Sequence, residues 1–379
     1  MRIAFIATNY PTVTRPYRGT FVQQFVWAMA RQGHQCIVIN PISLWERCLG
    51  SLPPSVRQED AGLGKEVSVH HPRFLSFSSR RIGRLHTGTW THAAFTRCVL
   101  REVARMSDPP DLVYGHFLYP SGRVATIIGQ REGVPSVIGV GENSFWTVDV
   151  PGRARAQRDL EDTTGVIAVS RQIHDALVSE LGVPDDRILL APNGVDLQRF
   201  KPISQQTARA KVGLNTTRFV VAFVGSAGER KGGQRLVKAV DGLSDIGLVM
   251  LGGAPETYQS ENVLFSGRIP HGDVAMWLNA ADAFALPTLS EGSCNAVIEA
   301  MACGLPVITS RGMFMDDIVD DESALRVDPH DISALRAAVL RLRNDPAERE
   351  RYIAGALRRV ERLSVDSRAM KVSAWMSTL

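Results

Sequence analysis

The chain has 379 residues, of which 44% are hydrophobic and 22% are charged, and its formal net charge is +4 at pH 7. This composition excludes disordered and collagen-like proteins, and the length is sufficient for two hydrophobic cores. The small net charge gives no support for a nucleic-acid-binding protein, so small ligands are the expected partners.

The cysteines and the first residues indicate the compartment. The chain has 5 cysteines without a C-x-x-C pair, and an odd number argues against a secreted disulfide framework. The apolar N-terminal run reaches Asn9 and Pro11 too soon for a signal peptide, and no later run is long enough to cross a membrane. We therefore predict a cytoplasmic protein.

Short β-branched segments alternate with helical patterns from the first residues onward. Such alternation is typical of parallel sheets covered by helices on both faces. In the first half it predicts a helix at 21–32 and strands at 2–7, 36–40, 67–70, 111–115, 135–140, 165–170 and 188–192.

The alternation is interrupted at 191–202, where a strand is followed by Pro192-Asn193-Gly194 and then by a polar stretch. We predict a domain boundary there, between residues 1–197 and 198–362. In the second half, strands are predicted at 219–225, 246–251, 263–266, 283–286 and 306–309, and Pro346 marks a position where a later helix could begin. The predicted fold class is α/β, with two doubly wound, Rossmann-like domains.

The segment 285–307 contains the densest functional signal. A strand ends at Pro287, a loop of small residues follows, and a helix begins near Cys294, so free backbone N–H groups could bind a diphosphate. Glu291 precedes this helix and Glu299 lies in its second turn, so one carboxylate could contact a sugar while the other accepts hydrogen bonds from ribose hydroxyls. Taken singly, each glutamate is more often a solvated helix residue or a charge that complements the helix dipole.

A second candidate phosphate loop lies upstream, at 224–233, directly after a strand and before a helix. Lys231 stands among its glycines, without the spacing of a P-loop. The chain has 6 lysines against 37 arginines, so the choice of lysine at this position favours a functional role. Its ammonium group would provide a compact positive charge for a leaving diphosphate.

Together these motifs resemble family 4 of the retaining glycosyltransferases, which have the GT-B fold: two Rossmann-like domains that face each other across an interdomain cleft. The family motifs are matched by E-x7-E at Glu291 and Glu299, E-A-M-A-x-G-x-P-V at 299–307, K-G at 231–232, P-N-G-V-D-x-x-x-F-x-P at 192–202 and A-D-x-F-x-x-P at 281–287.

The resemblance implies transfer of a hexose-type sugar from a nucleoside diphosphate sugar to a hydroxyl acceptor, with retention of configuration. The acceptor could be a glycan, a lipid-linked sugar or a small molecule, as in polysaccharide biosynthesis. Residues 1–197 would bind the acceptor and 198–362 the donor, and the helical segment 363–379 would cross back to the first domain. Lys231 would contact the diphosphate, Glu299 the ribose and Glu291 the transferred sugar. No obligatory metal or cofactor is implied.

The predicted site residues form three groups. The catalytic residues are His116, Glu291 and Lys231. The donor-binding residues are Gly19, Gly225, Ser226, Arg230, Lys231, Arg268, Glu291, Gly292, Ser293, Cys294, Asn295, Ala296 and Glu299. The acceptor-binding residues are Glu142 and Asn143, although a simple turn explains these two nearly as well.

Two site residues of the first half, His116 and Gly19, are predicted from their positions after strands. His116 ends the strand at 111–115, where doubly wound sheets bind ligands; a single histidine is more often structural, but the family's active-site histidine occupies this strand end. Gly19 lies after the first strand and resembles the family's glycine loop, where a glycine lets a ligand approach the backbone closely.

One position departs from the family pattern. Ser226 stands where the family usually has an arginine, and the neighbouring Arg230 could compensate. Two other functions remain open: a sugar-nucleotide epimerase with the GT-B fold, and a non-catalytic nucleotide-sugar-binding subunit.

The segment 73–105 has seven arginines against one acidic residue, Glu102, with aromatic residues between them. The pattern fits a solvated surface as well as a surface that binds an anionic membrane or a lipid diphosphate. We therefore add peripheral association with the inner face of the membrane as a hypothesis. The acidic pairs at 316–317 and 320–321 are interpreted as solvated, so no metal site is predicted.

Overall fold

The structure is a computed structural model that describes residues 1–77, 80–82, 85–142 and 144–379. These residues form two compact units. Unit 1 comprises Met1–Ala191 and Arg368–Leu379, and unit 2 comprises Pro192–Ser367. The assignment of acceptor and donor binding to residues 1–197 and 198–362 stays a prediction.

Unit 1 is built on an eight-stranded sheet of order β12-β11-β10-β9-β1-β2-β5-β4. Its strands are parallel except β4, which is antiparallel to β5. The strands of unit 1 are β1 (Arg2–Ile6), β2 (Gln35–Ile39), β3 (Ile42–Ser43), β4 (Val56–Gly62), β5 (Lys65–His70), β6 (Arg73–Phe74), β7 (Arg81–Ile82), β8 (Leu85–His86), β9 (Leu112–His116), β10 (Ser136–Val140), β11 (Gly165–Ala168) and β12 (Ile188–Leu190).

The helices of unit 1 cover its sheet. Apolar residues of β10 and β11 pack with α4 and α5, while those of β1 and β9 pack with α2 and α3. The helices are α1 (Thr20–Arg31), α2 (Gly88–Val103), α3 (Arg123–Glu132), α4 (Arg153–Glu161) and α5 (Arg171–Leu181), with a π-helical turn at Leu118–Gly122 and 3-10 helices at Leu44–Leu49, Trp146–Asp149 and Asp185–Arg187.

Unit 2 has a six-stranded parallel sheet of order β15-β14-β13-β16-β17-β18. This is the strand order of a dinucleotide-binding domain. The strands are β13 (Phe219–Val224), β14 (Ile246–Leu251), β15 (Val263–Gly267), β16 (Ala283–Leu286), β17 (Val307–Ser310) and β18 (Ala324–Val327).

The helices of unit 2 enclose one apolar core, in which β13, β14 and β16 pack with α7, α9 and α11. The helices are α6 (Gln205–Val212), α7 (Gly233–Val240), α8 (Val274–Asn279), α9 (Asn295–Ala302), α10 (Met313–Asp316), α11 (Ile332–Asn344) and α12 (Pro346–Val360), with 3-10 helices at Glu229–Lys231, Pro255–Thr257, His271–Asp273 and Glu361–Leu363. The last helix, α13 (Val365–Met376), begins in unit 2, and its residues from Arg368 onward belong to unit 1.

The α/β prediction is confirmed, because every predicted strand overlaps a strand of the structure with ends that differ by at most two residues. The prediction did not include the mostly polar β4, the short edge strand β18 of unit 2, or the two-residue strands β3, β6, β7 and β8. β4 and β18 lie at sheet edges, where one side of the strand lacks a neighbour and the apolar pattern is weaker.

Candidate active site

The strand order of unit 2 reverses between β13 and β16, which are direct neighbours although β14 and β15 lie between them in the chain. In open parallel sheets, ligands bind beyond the carboxyl ends of the strands at such a point. The loops that follow β13 and β16 contain Lys231 and Glu291, respectively. The topology therefore brings together two segments that are 60 residues apart in sequence.

Gly232 allows these two loops to touch. Its φ is +78°, and a Cβ atom built on it would lie 2.2 Å from the carbonyl oxygen of Pro287. The same carbonyl accepts a hydrogen bond from Arg235 at 2.8 Å, and the Leu289 N–H donates to the Arg230 carbonyl at 2.8 Å. A side chain at position 232 would separate the loops, which gives the glycine of the K-G motif a physical reason.

The Glu291 carboxylate is the centre of the cluster. Its Oε1 lies 2.7 Å from Lys231 Nζ and accepts a hydrogen bond of 2.7 Å from the Thr288 hydroxyl. Its Oε2 lies 3.2 Å from a guanidinium nitrogen of Arg230, which also donates to the Ser290 carbonyl at 2.7 Å. Glu291 is only 7% exposed. Two cations thus face one carboxylate, which leaves a local excess of one positive charge.

Cys294, immediately before α9, is buried. The pKa of its thiol is raised to about 12, chiefly by burial; Glu291 and Glu299 act in the same direction, and Lys231 opposes them. The charges of Lys231 and of both glutamates therefore act on one buried atom. The thiol stays protonated and acts as a small apolar group.

Glu299 has a partner that the sequence analysis missed. His271, in the segment after β15, places its Nε2 atom 3.2 Å from Glu299 Oε1. Its Nδ1 atom is buried, and the described ranges contain no hydrogen-bond partner for it. Glu299 is 8% exposed. The position of His271 beyond the carboxyl end of β15 was the available signal, since the other site residues of unit 2 also follow strand ends.

The other predicted donor-binding residues lie near these loops, with different surroundings. Gly225, Ser226 and Arg268 follow the carboxyl ends of β13 and β15, and Ser226 and Arg268 are exposed. Gly292 and Ala296 are half-buried on either side of Cys294.

Ser293 and Asn295 are held by Asn193, a residue that the site prediction did not include. The Ser293 hydroxyl accepts from the Asn193 N–H at 3.1 Å, and the Asn295 side-chain oxygen accepts from the Asn193 amide at 3.1 Å. These contacts give the asparagine of the P-N-G-V-D motif a structural role: it fixes the start of α9.

In unit 1, the strand order reverses between β1 and β9. Gly19 lies after β1 and precedes α1; its φ is +73°, and a Cβ atom there would lie 2.2 Å from the Asn9 carbonyl oxygen. His116 is the last residue of β9. Both residues therefore lie where a doubly wound sheet binds its ligands.

The His116 side chain is buried among aromatic rings. The centre of its ring lies 4.4 Å from that of Phe117 and 5.4 Å from that of Phe21. Its Nδ1 atom lies 3.4 Å from the Tyr114 hydroxyl, and its Nε2 atom is buried without a hydrogen-bond partner among the described residues. Burial lowers the pKa of His116 to about 3, and the positive charge of Arg368 acts in the same direction. His116 is therefore neutral at physiological pH.

Glu142 follows β10 and is also buried. Its carboxylate accepts hydrogen bonds from the backbone N–H groups of Leu118, at 2.8 Å, and Gly141, at 3.1 Å. Burial raises its pKa to about 7, although these hydrogen bonds lower it. Its predicted contact with an acceptor stays a prediction, and Asn143 lies outside the described residues.

In the described part of the chain, no group of three or more His, Cys, Asp or Glu side chains could hold a metal ion. The acidic pairs discussed above have cationic partners, because Asp316 pairs with Arg326 and Asp320 pairs with Arg359 at 2.7 Å. None of the helices in the described ranges combines the length and the apolar character that a membrane span requires.

The comparisons with known proteins identify the family. Residues 19–199 match the model of Glycosyltransferase Family 4, and residues 204–359 match that of Glycosyl transferases group 1. The chain belongs to glycosyltransferase family 4. A D-inositol 3-phosphate glycosyltransferase of Acidothermus cellulolyticus is 30% identical over 312 residues, which cover 72% of this chain and 68% of the relative.

Two further similarities extend over nearly the whole chain. A glycosyltransferase of Bacillus subtilis (strain 168), provisionally named for teichuronic acid biosynthesis, is 26% identical over 91% of this chain and 90% of its own. The crystal structure of an Anabaena protein in complex with UDP and glucose has a TM-score of 0.72 at 17% identity and covers all of both chains. Together with the two Rossmann-like units, the structural likeness confirms the GT-B fold of this glycosyltransferase.

Proposed function

We propose that this glycosyltransferase moves a hexose from a nucleoside diphosphate sugar to a hydroxyl acceptor with retention of configuration. The observation that carries the proposal is the contact of 2.7 Å between Lys231 Nζ and Glu291 Oε1 at the strand-order reversal of unit 2. This contact joins the two phosphate-loop motifs at the position where open parallel sheets bind nucleotides.

The charges of this cluster suit a diphosphate. Lys231 and Arg230 outnumber Glu291, so an anion finds a net positive charge beside the start of α9. Preorganised cations of this kind stabilise the charge that develops on a leaving diphosphate. The Anabaena protein solved with UDP and glucose supports a nucleoside diphosphate donor, and the D-inositol 3-phosphate glycosyltransferases among the relatives support a hydroxyl acceptor.

Retention is proposed to follow a front-face mechanism. A double-displacement mechanism needs a carboxylate nucleophile at the anomeric carbon. Glu291 is poorly suited to this role, because its Oε1 atom already faces two donors and its Oε2 atom faces Arg230. The leaving phosphate oxygen instead takes the proton of the acceptor hydroxyl as the new glycosidic bond forms on the same face. In unit 1, we assign His116 to a hydroxyl of the acceptor or of the transferred sugar.

A panel of UDP, GDP, ADP and dTDP sugars tests the donor. We expect one nucleotide series to raise the melting temperature and to release the nucleoside diphosphate when an acceptor is added. Lys231→Ala should lower turnover at least about 100-fold, as loss of one preorganised donor does. Lys238→Ala is the matched control, because Lys238 is an exposed lysine of α7 in the same unit.

The anomeric configuration of the product, read from its proton NMR coupling, tests retention. An inverted product would contradict the mechanism. Epimerised donor in the absence of acceptor, or donor binding without turnover, would contradict transfer itself. Equal loss of turnover in both lysine variants would contradict the assignment of Lys231.

We further propose that the arginine-rich surface of unit 1 binds anionic membrane lipid. Here α2 borders a groove of about 740 Å³, lined by Arg73, Arg97, Arg101 and Arg105 among other residues. Arg97 and Arg101 are four residues apart in α2 and so lie on one helix face, and Arg105 follows just after the helix ends. The side chains of Phe77 and Trp90 are about half exposed and pack edge-on with ring centres 5.9 Å apart. Basic and aromatic side chains in this combination suit a lipid headgroup region.

Flotation with vesicles that contain about a quarter anionic lipid tests this surface. Replacing Arg97 and Arg101 by Gln should weaken binding about 30-fold, because each cation near an anionic bilayer contributes about 1 kcal/mol. The control replaces the exposed Arg351 and Arg358 of α12 by Gln, which changes the net charge equally. Equal flotation of both variants, or no flotation of the wild type, would contradict the proposal.

A further inference from the structure

Arg368 of α13 is a buried cation without a carboxylate partner among the described residues. Its side chain is almost fully buried, with the residue only 6% exposed. The guanidinium lies 4.2 Å from the centre of the Phe25 ring, and its Nε donates to the Ala191 carbonyl at 3.3 Å. Its Nη2 atom is buried without a hydrogen-bond partner among the described residues, and Tyr114 is the group whose charge acts on its pKa. A buried charge that lacks a counterion is costly, so its presence calls for a functional explanation.

Tyr114 connects this arginine to the histidine of the candidate site. Its fully buried hydroxyl lies 3.4 Å from Nδ1 of His116, and the positive charge of Arg368 acts on the pKa of the same phenol. The neighbouring strand makes room for it at Gly139, where a Cβ atom would lie 1.8 Å from the hydroxyl oxygen. The glycine of β10 and the arginine of α13 therefore both accommodate the Tyr114 hydroxyl of β9.

The direction of the hydrogen bonds follows from what each group can do. A guanidinium only donates, and its positive charge repels the phenolic proton of Tyr114. This proton therefore points to Nδ1 of His116, 3.4 Å from the hydroxyl oxygen, and Nδ1 accepts it as the unprotonated nitrogen. In a neutral imidazole the remaining proton is carried by Nε2. Nε2 is the ring atom that is buried and has no hydrogen-bond partner in the part of the chain that the structure describes.

We propose that Arg368 and Tyr114 are positioning residues that hold His116 as the neutral Nε2–H tautomer, so that His116 donates a hydrogen bond to a substrate hydroxyl oxygen. The proposal rests on the proposed function for the identity of the substrate. It also gives α13 a part in the site of unit 1, because Arg368 belongs to that helix.

The groups that face His116 all favour a neutral ring. Burial and the positive charge of Arg368 lower its pKa, and Tyr114 itself remains protonated because burial raises its pKa. Glu142 is the nearby acid that acts on Tyr114, and its own pKa is raised to about 7 by burial. Ionisation of Glu142 adds a negative charge beside the phenol and thus strengthens its preference to stay protonated.

Nitrogen NMR of ¹⁵N-imidazole-labelled protein measures the tautomer of His116 directly. The His116 signals are assigned by their absence in His116→Gln. We expect a single neutral Nε2–H tautomer between about pH 6 and pH 8. In Tyr114→Phe, Nδ1 loses its donor, so both tautomers should be populated and kcat should fall about tenfold, the scale of one lost hydrogen bond.

Tyr119→Phe is the matched control. It removes another buried phenolic hydroxyl of unit 1, one that donates to Asp159 at 2.7 Å rather than to His116. We expect it to leave both the tautomer and kcat unchanged. Arg368→Met should shift the tautomer as Tyr114→Phe does, and Arg368→Lys, which keeps a donor and a charge, should partly restore it.

An Nδ1–H tautomer in the wild type, or an unchanged His116 spectrum in Tyr114→Phe, would overturn the proposal. Both results are read in the absence of substrate, so they do not depend on the proposed function. If Arg368→Met does not fold, Tyr114→Phe still decides between the outcomes. If the chain shows the predicted tautomer but transfers no sugar, the proposed function is refuted, while the positioning of His116 by Tyr114 and Arg368 still holds.

Discussion

Replacing Glu142 by Gln should change how the stability of unit 1 depends on pH. Glu142 is 7% exposed, and its carboxylate accepts two backbone hydrogen bonds, from Leu118 and Gly141. Burial nevertheless raises its pKa from the ordinary value of 4.5 to about 7. In the folded chain the desolvation of the charge therefore outweighs the hydrogen bonds that stabilise it.

The sign and size of the effect follow from this pKa. Below about pH 4.5 the carboxyl group is protonated in the folded and the unfolded chain. As the pH rises, the unfolded chain releases its proton first, while the folded chain keeps it up to about pH 7. The stability that the protonated group contributes is lost across this window. One pKa unit corresponds to about 1.4 kcal/mol, so the free energy of unfolding falls by about 3 kcal/mol in total. Gln does not titrate, so the variant should lack this loss.

Urea unfolding followed by tryptophan fluorescence measures the difference. Five of the 6 tryptophans lie in unit 1, so the signal reports mainly on that unit. The free energy of unfolding of Glu142→Gln minus that of the wild type should rise by about 3 kcal/mol between about pH 4.5 and pH 8. Glu132→Gln, at an exposed glutamate of α3, is the control. A difference that stays constant, or falls, across this range would refute the reasoning about Glu142.

Further predictions concern unit 2 and one exposed thiol. Ser226→Arg should restore a cation beside the diphosphate and lower the Kd of the preferred nucleoside diphosphate about tenfold by calorimetry; an unchanged Kd would separate this loop from the phosphates. His271→Ala removes the neighbour that faces Glu299 at 3.2 Å, so steady-state kinetics should show a donor KM raised several-fold with a smaller change in kcat. Cys294, buried and with a pKa raised to about 12, should remain unmodified by iodoacetamide after the exposed Cys48 has reacted, as read by peptide mass spectrometry.

The sequence was sufficient for the strands that are buried on both faces. In β9, β10 and β14 every residue is buried, and such strands appear in sequence as continuous apolar runs. The start of α12 at Pro346 could also be predicted from the sequence, because proline is favoured at the first helical position. The mostly polar β4 could not be predicted, since its pairing with β5 depends on tertiary contacts that no local sequence pattern shows.

For the site, motif spacing identified Lys231, Glu291 and Glu299 but not the residues that hold them. Thr288 and His271 belong to no motif used here, and their roles arise from hydrogen bonds to the two glutamates. Arg368 lies more than 250 positions after Tyr114 in the chain. Contacts of this kind are fixed by the topology of the sheets, and a single sequence contains no spacing rule for them.

The structure also refines the role of Arg230 as a substitute for the arginine missing at position 226. One guanidinium nitrogen of Arg230 faces both Glu291 and the Ser290 carbonyl, so this side chain is directed at the loop rather than left free for a phosphate. Lys231 has three N–H donors, of which one is directed at Glu291. Two donors remain, so the ammonium group can bind a diphosphate without releasing the carboxylate. We infer that Lys231 supplies the charge for the leaving group, while Arg230 keeps Glu291 in place.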